Sequence, residues 1–260
     1  MQKEYTHTVA PILREVRPLL LPYYGNAGSV VYKSASPADV VTKLDVRAEE
    51  FMKERLRAVD PPIAFVGEEH GGDRTAERLW LLDPIDGTAH FVRGLPFCTT
   101  MLALIEEGEV VFSAIYDFVS DVMYSAEKGK GAMMNGKLIH VSTRSLKESY
   151  VGWETHLEEG KNLLIDQALR RRCVPIKILC AGYEFAMAAC GKLEGRISLE
   201  PYGKDYDFAP GAFLVKEAGG VVANIGKRTY DYRNLDFLAV NPVVYKELTE
   251  GSDAIFPIKE

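Results

Sequence analysis

The chain has 260 residues, 47% hydrophobic and 26% charged, with a formal net charge of −6. This is the composition of a globular protein with room for one large domain or two intimately packed ones. It excludes a nucleic-acid binder built on phosphate contacts, which needs a basic surplus, and no apolar run is long enough to cross a bilayer.

In chain order, Val9, Ile12, Leu13, Val16, Leu19 and Leu20 recur at three-to-four spacing and predict a helix, disturbed by Pro11 and Pro18. The stretch "SASPADVVTKLD" leads into a second helix, with Thr42 and Asp45 spaced as a capping box. From Ile63 the pattern turns to strands: "IAFVG", then "LWLLD", then the hairpin "TMLALIEEGEVVFSAIYDF" turning at Glu107–Gly108. The meander continues through Asp121–Ala126 and the Asn135–Gly136 turn. The second half alternates. Strands are predicted at Tyr150–Trp153, Pro175–Leu179, Arg196–Leu199, Val221–Ala223 and Phe237–Val240, and helices at Asn162–Arg171, Tyr183–Cys190 and Phe208–Ala218. An α+β half, residues 1–143, joined to an α/β half, residues 144–260, follows from this order, with the boundary near Val141–Leu146.

The N-terminus "MQKEYTHTV" lacks a secretory pattern. Cys98, Cys173, Cys180 and Cys190 form no CxxC pair and have no His at zinc-like spacing. Four reduced thiols in a cytoplasmic protein are therefore expected.

The chemistry lies in scattered carboxylates. Glu68 and Glu69 follow a strand ended by Gly67; "DPIDGT" follows four apolar residues; Asp207 opens a helix; Asp45 lies on the first turn of another. Singly, each has a bland reading: Asp207 as an N-cap, Asp83 and Asp86 as turn formers around Pro84 and Gly87, Glu68 and Glu69 as solvated charges, Asp45 as the partner of Thr42. Together they point elsewhere, because an uncompensated charge at the mouth of a buried strand is costly. The Asp83–Asp86 turn can aim both carboxylates and the Ile85 carbonyl at one point. Oxygen donors without His or Cys suit a hard cation such as Mg²⁺. The amides of Gly87 and Thr88, opening the short helix "TAHFVRG", would face an anion.

"GEE", "WLLDPIDGTAHFVRGLP" and "YDFAPGAFLVKEAGG", in that order, resemble the inositol monophosphatase family of Mg²⁺-dependent, lithium-sensitive phosphatases. The resemblance extends through "SPADVVTKLD" and "YDFVSDVMYSAEKGKGAMMNGKLIHVS" and covers most of the chain. It implies a layered αβαβα sandwich of the inositol monophosphatase/fructose-1,6-bisphosphatase type, a homodimer, and two to three Mg²⁺ ions per site. Glu68, Asp83 and the Ile85 carbonyl would hold the first ion; Asp83, Asp86 and Asp207 the second; Glu68 would place a third through waters. Thr88 and Asp45 would position and deprotonate the attacking water. Asp86, Gly87, Thr88 and Glu200 would contact substrate, a small phosphorylated polyol. No phosphoenzyme is implied, since no Ser, Cys or His sits within "DPIDGT".

The chain departs from the family pattern at Tyr206, where Trp is usual, and at Pro210, which fits a helix's first turn. "CGKLEGRISLE" is about two residues longer than usual, "LCAGYEF" lacks the usual Gly-Ser-Ala-Ala run, and Asp205 is an extra acid expected to face solvent. Inositol monophosphate is the expected substrate. Histidinol phosphate, fructose 1,6-bisphosphate and nucleotide 3′-phosphates are the alternatives, and a catalytically silent metal-binding relative is the non-enzyme alternative.

Overall fold

In a computed structural model, which describes residues 5–33, 40–158 and 160–259, the N-terminal helical pattern is two helices, α1 (Tyr5–Arg14) and α2 (Val16–Leu20). The break at Glu15 falls where Pro18 withdraws an intrahelical donor. A short hairpin, β1 (Val30–Tyr32) and β2 (Val40–Thr42), precedes α3 (Lys43–Val59). Thr42 and Asp45 form the anticipated capping box at its start.

Next come β3 (Ala64–Gly67), β4 (Arg78–Asp86), α4 (Thr88–Arg93), β5 (Thr99–Glu106), β6 (Glu109–Asp117), β7 (Val122–Glu127), β8 (Gly131–Met134) and β9 (Lys137–Ile139). They form a seven-stranded sheet in chain order, antiparallel apart from the β3–β4 pair. The positive φ of Glu107 and Gly108, and of Asn135 and Gly136, closes its two anticipated tight turns.

The second half runs β10 (Tyr150–Glu154), α5 (Gly160–Arg170), β11 (Val174–Ile176), α6 (Ala181–Ala189), β12 (Gly195–Ser198), α7 (Asp205–Glu217), β13 (Val221–Asn224), β14 (Phe237–Val240) and α8 (Pro242–Thr249). Its five-stranded sheet has the order β11-β10-β12-β14-β13. Helix α7 starts at Asp205, earlier than its apolar stripe indicated, so Asp207 lies inside the first turn. Pro210 is accordingly in the helix interior, not in the first turn that the sequence predicts, and removes one intrahelical bond there.

Three cores stack these elements into five layers. Leu79 and Leu81 face one side of β4 and pack with Phe185, Phe208 and Phe213 of α6 and α7 and with Phe237 and Ala239 of β14. Trp80 and Leu82 face the other side and pack with Val9, Leu13, Val16 and Met52 of α1, α2 and α3. Beyond the second sheet, Trp153, Ile197 and Leu238 meet Leu169, Val244 and Leu248 of α5 and α8. The αβαβα sandwich explains "LWLL": a strand covered on both faces has no solvent side to alternate with.

Candidate active site

Strand β4 does not stop at Asp83; it runs on to Asp86 through an irregularity. Asp83 pairs with Met101 and Asp86 with Thr99, so three residue steps on β4 face two on β5. This is a bulge with one extra residue, the place within a sheet where proline is tolerated. In a regular strand, residues three apart point to opposite faces. The bulge instead turns both carboxylates to one side, and oxygens of Asp83, Asp86 and Asp207 lie within 4.8 Å of one another. The bulge is tied down locally: the Ile85 amide donates to Asp83 Oδ1 at 3.0 Å, and Thr100 Oγ1 donates to the Pro84 carbonyl at 2.8 Å.

Beside this cluster, Thr88 Oγ1 stands 2.8 Å from Asp45 Oδ1 and 2.8 Å from the Ile85 carbonyl. One hydroxyl hydrogen serves only one acceptor at a time. Asp45 is itself held, its Oδ2 accepting the amide and hydroxyl of Thr42 at 2.7 Å each. Burial pushes its pKa above the ordinary carboxylate value, against the pull of the bonds from Thr42 and Thr88. Gly87 has φ +84 and no room for a side chain, since a Cβ would meet the Phe97 carbonyl at 2.6 Å. The His90 and Phe91 amides donate to the Gly87 carbonyl at 2.8 and 3.0 Å, which leaves those of Thr88 and Ala89 as the α4 amides without an acceptor inside the helix.

Glu68 lies outside the three-carboxylate cluster but against Asp83, and Lys33 Nζ bridges it to Glu69 at 2.8 and 2.7 Å. The segment is pinned from behind by Glu49 of α3. Its buried carboxylate accepts the Glu69 amide at 2.7 Å and the His70 amide at 3.0 Å, and faces His70 Nδ1 at 2.8 Å. Gly67 is required here, because a Cβ would fall 2.2 Å from the Glu49 carboxyl carbon.

Asp86 is clasped by the N-terminus of α6. Its Oδ1 accepts the Ala181 amide at 3.1 Å; its Oδ2 accepts the Gly182 amide at 2.6 Å, Cys180 Sγ at 3.1 Å and Thr99 Oγ1 at 3.2 Å. Gly182 makes that approach feasible, since a Cβ would meet Thr99 Oγ1 at 2.3 Å. Asp207 faces the others from the first turn of α7, where it accepts the Lys204 amide.

A cation fits this arrangement. Burial pushes Asp83 and Asp207 well above the usual carboxylate range, reinforced for Asp83 by the charges of Glu68, Asp207 and Asp86. Burial raises Glu68 and Asp86 as well. The donors are oxygens only, the set chosen by hard cations. The metal-free fold thus binds more protons than the unfolded chain from about pH 4 upward, so its stability falls as pH rises through that window. A divalent cation needs the deprotonated forms and reverses the trend. Calorimetric unfolding is expected to show a metal-free Tm that drops from pH 5 to pH 7.5, and a Mg²⁺-induced rise that is larger at pH 7.5.

Two anticipated site residues sit differently from the rest. The Glu200 carboxylate pairs with Lys161 and accepts Asn162 Nδ2 at 2.9 Å, turned toward α5. Asp205 is not solvent-facing; Arg74 pairs with it and covers it. Sequence reasoning misses Lys33, Glu49, Cys180 and Gly182 at this site. Only Glu49, one helical turn after Asp45, carried a signal, because residues four apart share a helix face.

Residues 1–254 match the model of the inositol monophosphatase family. The chain is 31% identical over 267 residues to an inositol monophosphatase of Dictyostelium discoideum, covering 95% of this chain and 94% of that protein. It is 30% identical over 242 residues to a protein of Thermotoga maritima named fructose-1,6-bisphosphatase/inositol-1-monophosphatase, covering 92% of each. Among solved structures, an IMPase of Thermotoga maritima superposes with a TM-score of 0.82 at 28% identity, covering 91% of this chain and 92% of that one. An extragenic suppressor protein, SuhB, of Bartonella henselae superposes with a TM-score of 0.83 at 26% identity, covering 92% and 94%.

Proposed function

The chain belongs to the inositol monophosphatase family and is a phosphoric monoester hydrolase of that metal-dependent group; on this premise we propose that it hydrolyses inositol monophosphate to inositol and phosphate with Mg²⁺. The observation that carries the reading is the convergence of Asp83, Asp86 and Asp207 beside the Asp45–Thr88 hydrogen bond.

Asp83, Asp86, Asp207, Glu68 and the Ile85 carbonyl would hold two to three Mg²⁺ ions. When bound, the ions acidify water and stabilise the departing alkoxide. Thr88 orients the attacking water with a lone pair of Oγ1 while its own hydrogen points to Asp45. Asp45, with its pKa raised by burial, takes up the proton that reaches it through that hydroxyl. The amides of Gly87 and Thr88 bind the phosphate oxygens. Glu200 meets substrate hydroxyls by giving up Lys161 and Asn162 for them. Water is the nucleophile. The one thiol at the site, Cys180, is buried and held well above its ordinary pKa, and it already donates to Asp86.

The name of the Thermotoga relative favours fructose 1,6-bisphosphate as the second reading. We place the enzyme in the cytoplasm, where its four free thiols stay reduced. We assign it a homodimer, supported by the exposed apolar side chains Tyr150, Leu164 and Val174 near the open edge strand β11. Phosphate release measured as kcat/KM over inositol 1-phosphate, fructose 1,6-bisphosphate, histidinol phosphate and a 3′-nucleotide tests the assignment. Inositol 1-phosphate is expected to rank first, with activity lost on chelation. Preference for another ester would overturn the substrate, and release from none would overturn the enzyme.

A further inference from the structure

Strand β12, "GRIS", is buried throughout, yet its second residue is an arginine with only 3% of its surface exposed. The Arg196 guanidinium lies over the rings of Phe185 and Phe208, 5.4 and 5.1 Å from their centroids. One prong donates to Glu184 and the other to Glu154. Gly152 makes room for this, since a Cβ would stand 2.6 Å from Glu184 Oε2. Stability alone does not account for such a group, because buried ion pairs gain little over apolar packing. Arg196 Nε, moreover, has no hydrogen-bond partner among the described residues.

What the two glutamates hold with their other oxygens explains the arrangement. Glu184 Oε1 accepts the Ile178 amide at 2.6 Å. Ile178 precedes Leu179, which adopts φ +60, a strained conformation for a branched residue. The next residues, Cys180 to Gly182, clasp Asp86. Glu154 Oε1 accepts the Tyr202 and Gly203 amides at 3.1 and 3.3 Å. Those residues lead directly to Lys204, whose amide donates to Asp207.

We infer that Arg196 is a positioning residue, a buried fork that sets the loop before α6 and the loop before α7 in one fixed relation, and so sets Asp86 against Asp207. Two planar prongs at fixed separation suit the task; the point charge of a lysine does not. The functional part rests on the proposed metal role of Asp86 and Asp207.

Two measurements on Arg196→Lys test it. Hydrogen–deuterium exchange of the metal-free variant is expected to quicken in both residues 177–182 and 200–207. Calorimetric titration with Mg²⁺ alone is expected to show binding weakened by about tenfold or more, the scale of losing a group that orients metal ligands. If Arg196→Lys does not fold, Glu154→Leu, which cuts one arm, is expected to quicken residues 200–207 and to weaken Mg²⁺ in the same direction. Unchanged exchange overturns the coupling. Faster exchange with Mg²⁺ affinity within twofold of wild type overturns the positioning role. A wild-type protein that takes up no Mg²⁺ overturns the metal reading instead, and the exchange data then decide the coupling by themselves.

Discussion

Asp83→Asn is expected to abolish most turnover while raising the thermal stability of the metal-free protein. Asp83 sits at the centre of the acidic cluster, with Glu68, Asp207 and Asp86 all opposing its ionisation and burial opposing it further. Asparagine keeps the shape and an oxygen for the Ile85 amide, which now bonds Asp83 Oδ1. It removes one negative charge from a site that needs the charge only when cations are present. The lost electrostatic stabilisation corresponds to a fall of about 10²–10³-fold in kcat or more, the scale of deleting one preorganised charge-stabilising group. The same deletion relieves repulsion in the empty site. The Tm in chelator is therefore expected to rise, by about 2–4 °C for each 1 kcal/mol of relief in a chain of this size. Opposite signs for activity and stability distinguish a functional carboxylate from a structural one. Kinetics over a Mg²⁺ series, beside calorimetry in chelator, check both signs. Full activity at saturating Mg²⁺ would remove Asp83 from the metal site.

Asp45→Asn is expected to act on the rate and to spare the metal. The Asp45 carboxylate accepts on both oxygens, from Thr42 on one side and Thr88 on the other. An asparagine has a single acceptor oxygen. If that oxygen caps α3 by taking the Thr42 amide, the NH₂ group faces Thr88 Oγ1 and donates to it. The hydrogen bond then runs backwards, and no base remains to receive a proton through the hydroxyl. The expected loss in kcat is about 10²–10⁴-fold, the usual contribution of a positioned general base. The Mg²⁺ activation constant should stay within a few-fold, since Asp45 is not among the three converging carboxylates. The rise of kcat with pH that wild type owes to this group should flatten. An unchanged kcat would reduce Asp45 to a helix cap.

These two residues differ in how visible they are in the chain. The cap of Thr42 and Asp45 is written in a four-residue interval, and the structure forms it as read. The role of the same Asp45 toward Thr88 spans 43 residues and has no local mark. "DPIDGT" is visible as an anomaly, charges where an apolar strand runs out, but the reading as a turn was incomplete. The strand continues, and a one-residue bulge aims both carboxylates the same way. Glu49 and Arg196 are hard to single out in the sequence for a plain reason. Glu49 is marked only by sharing a helix face with Asp45, and an arginine in a short strand looks ordinary, until the segments they hold are known.

By itself, the sequence determined what local physics controls: where helices are capped, where tight turns fall, which strand is apolar on both faces, and an oxygen-only set of acids suited to a hard cation. Only the tertiary structure decided which acids meet, which are gripped from behind and by what, and that Glu200 turns toward α5 while Asp205 is covered by Arg74. The reason is range. Caps, turns and pleats depend on neighbours a few residues apart, whereas the cluster joins β4 to α7 across more than a hundred positions, through packing that no short stretch encodes.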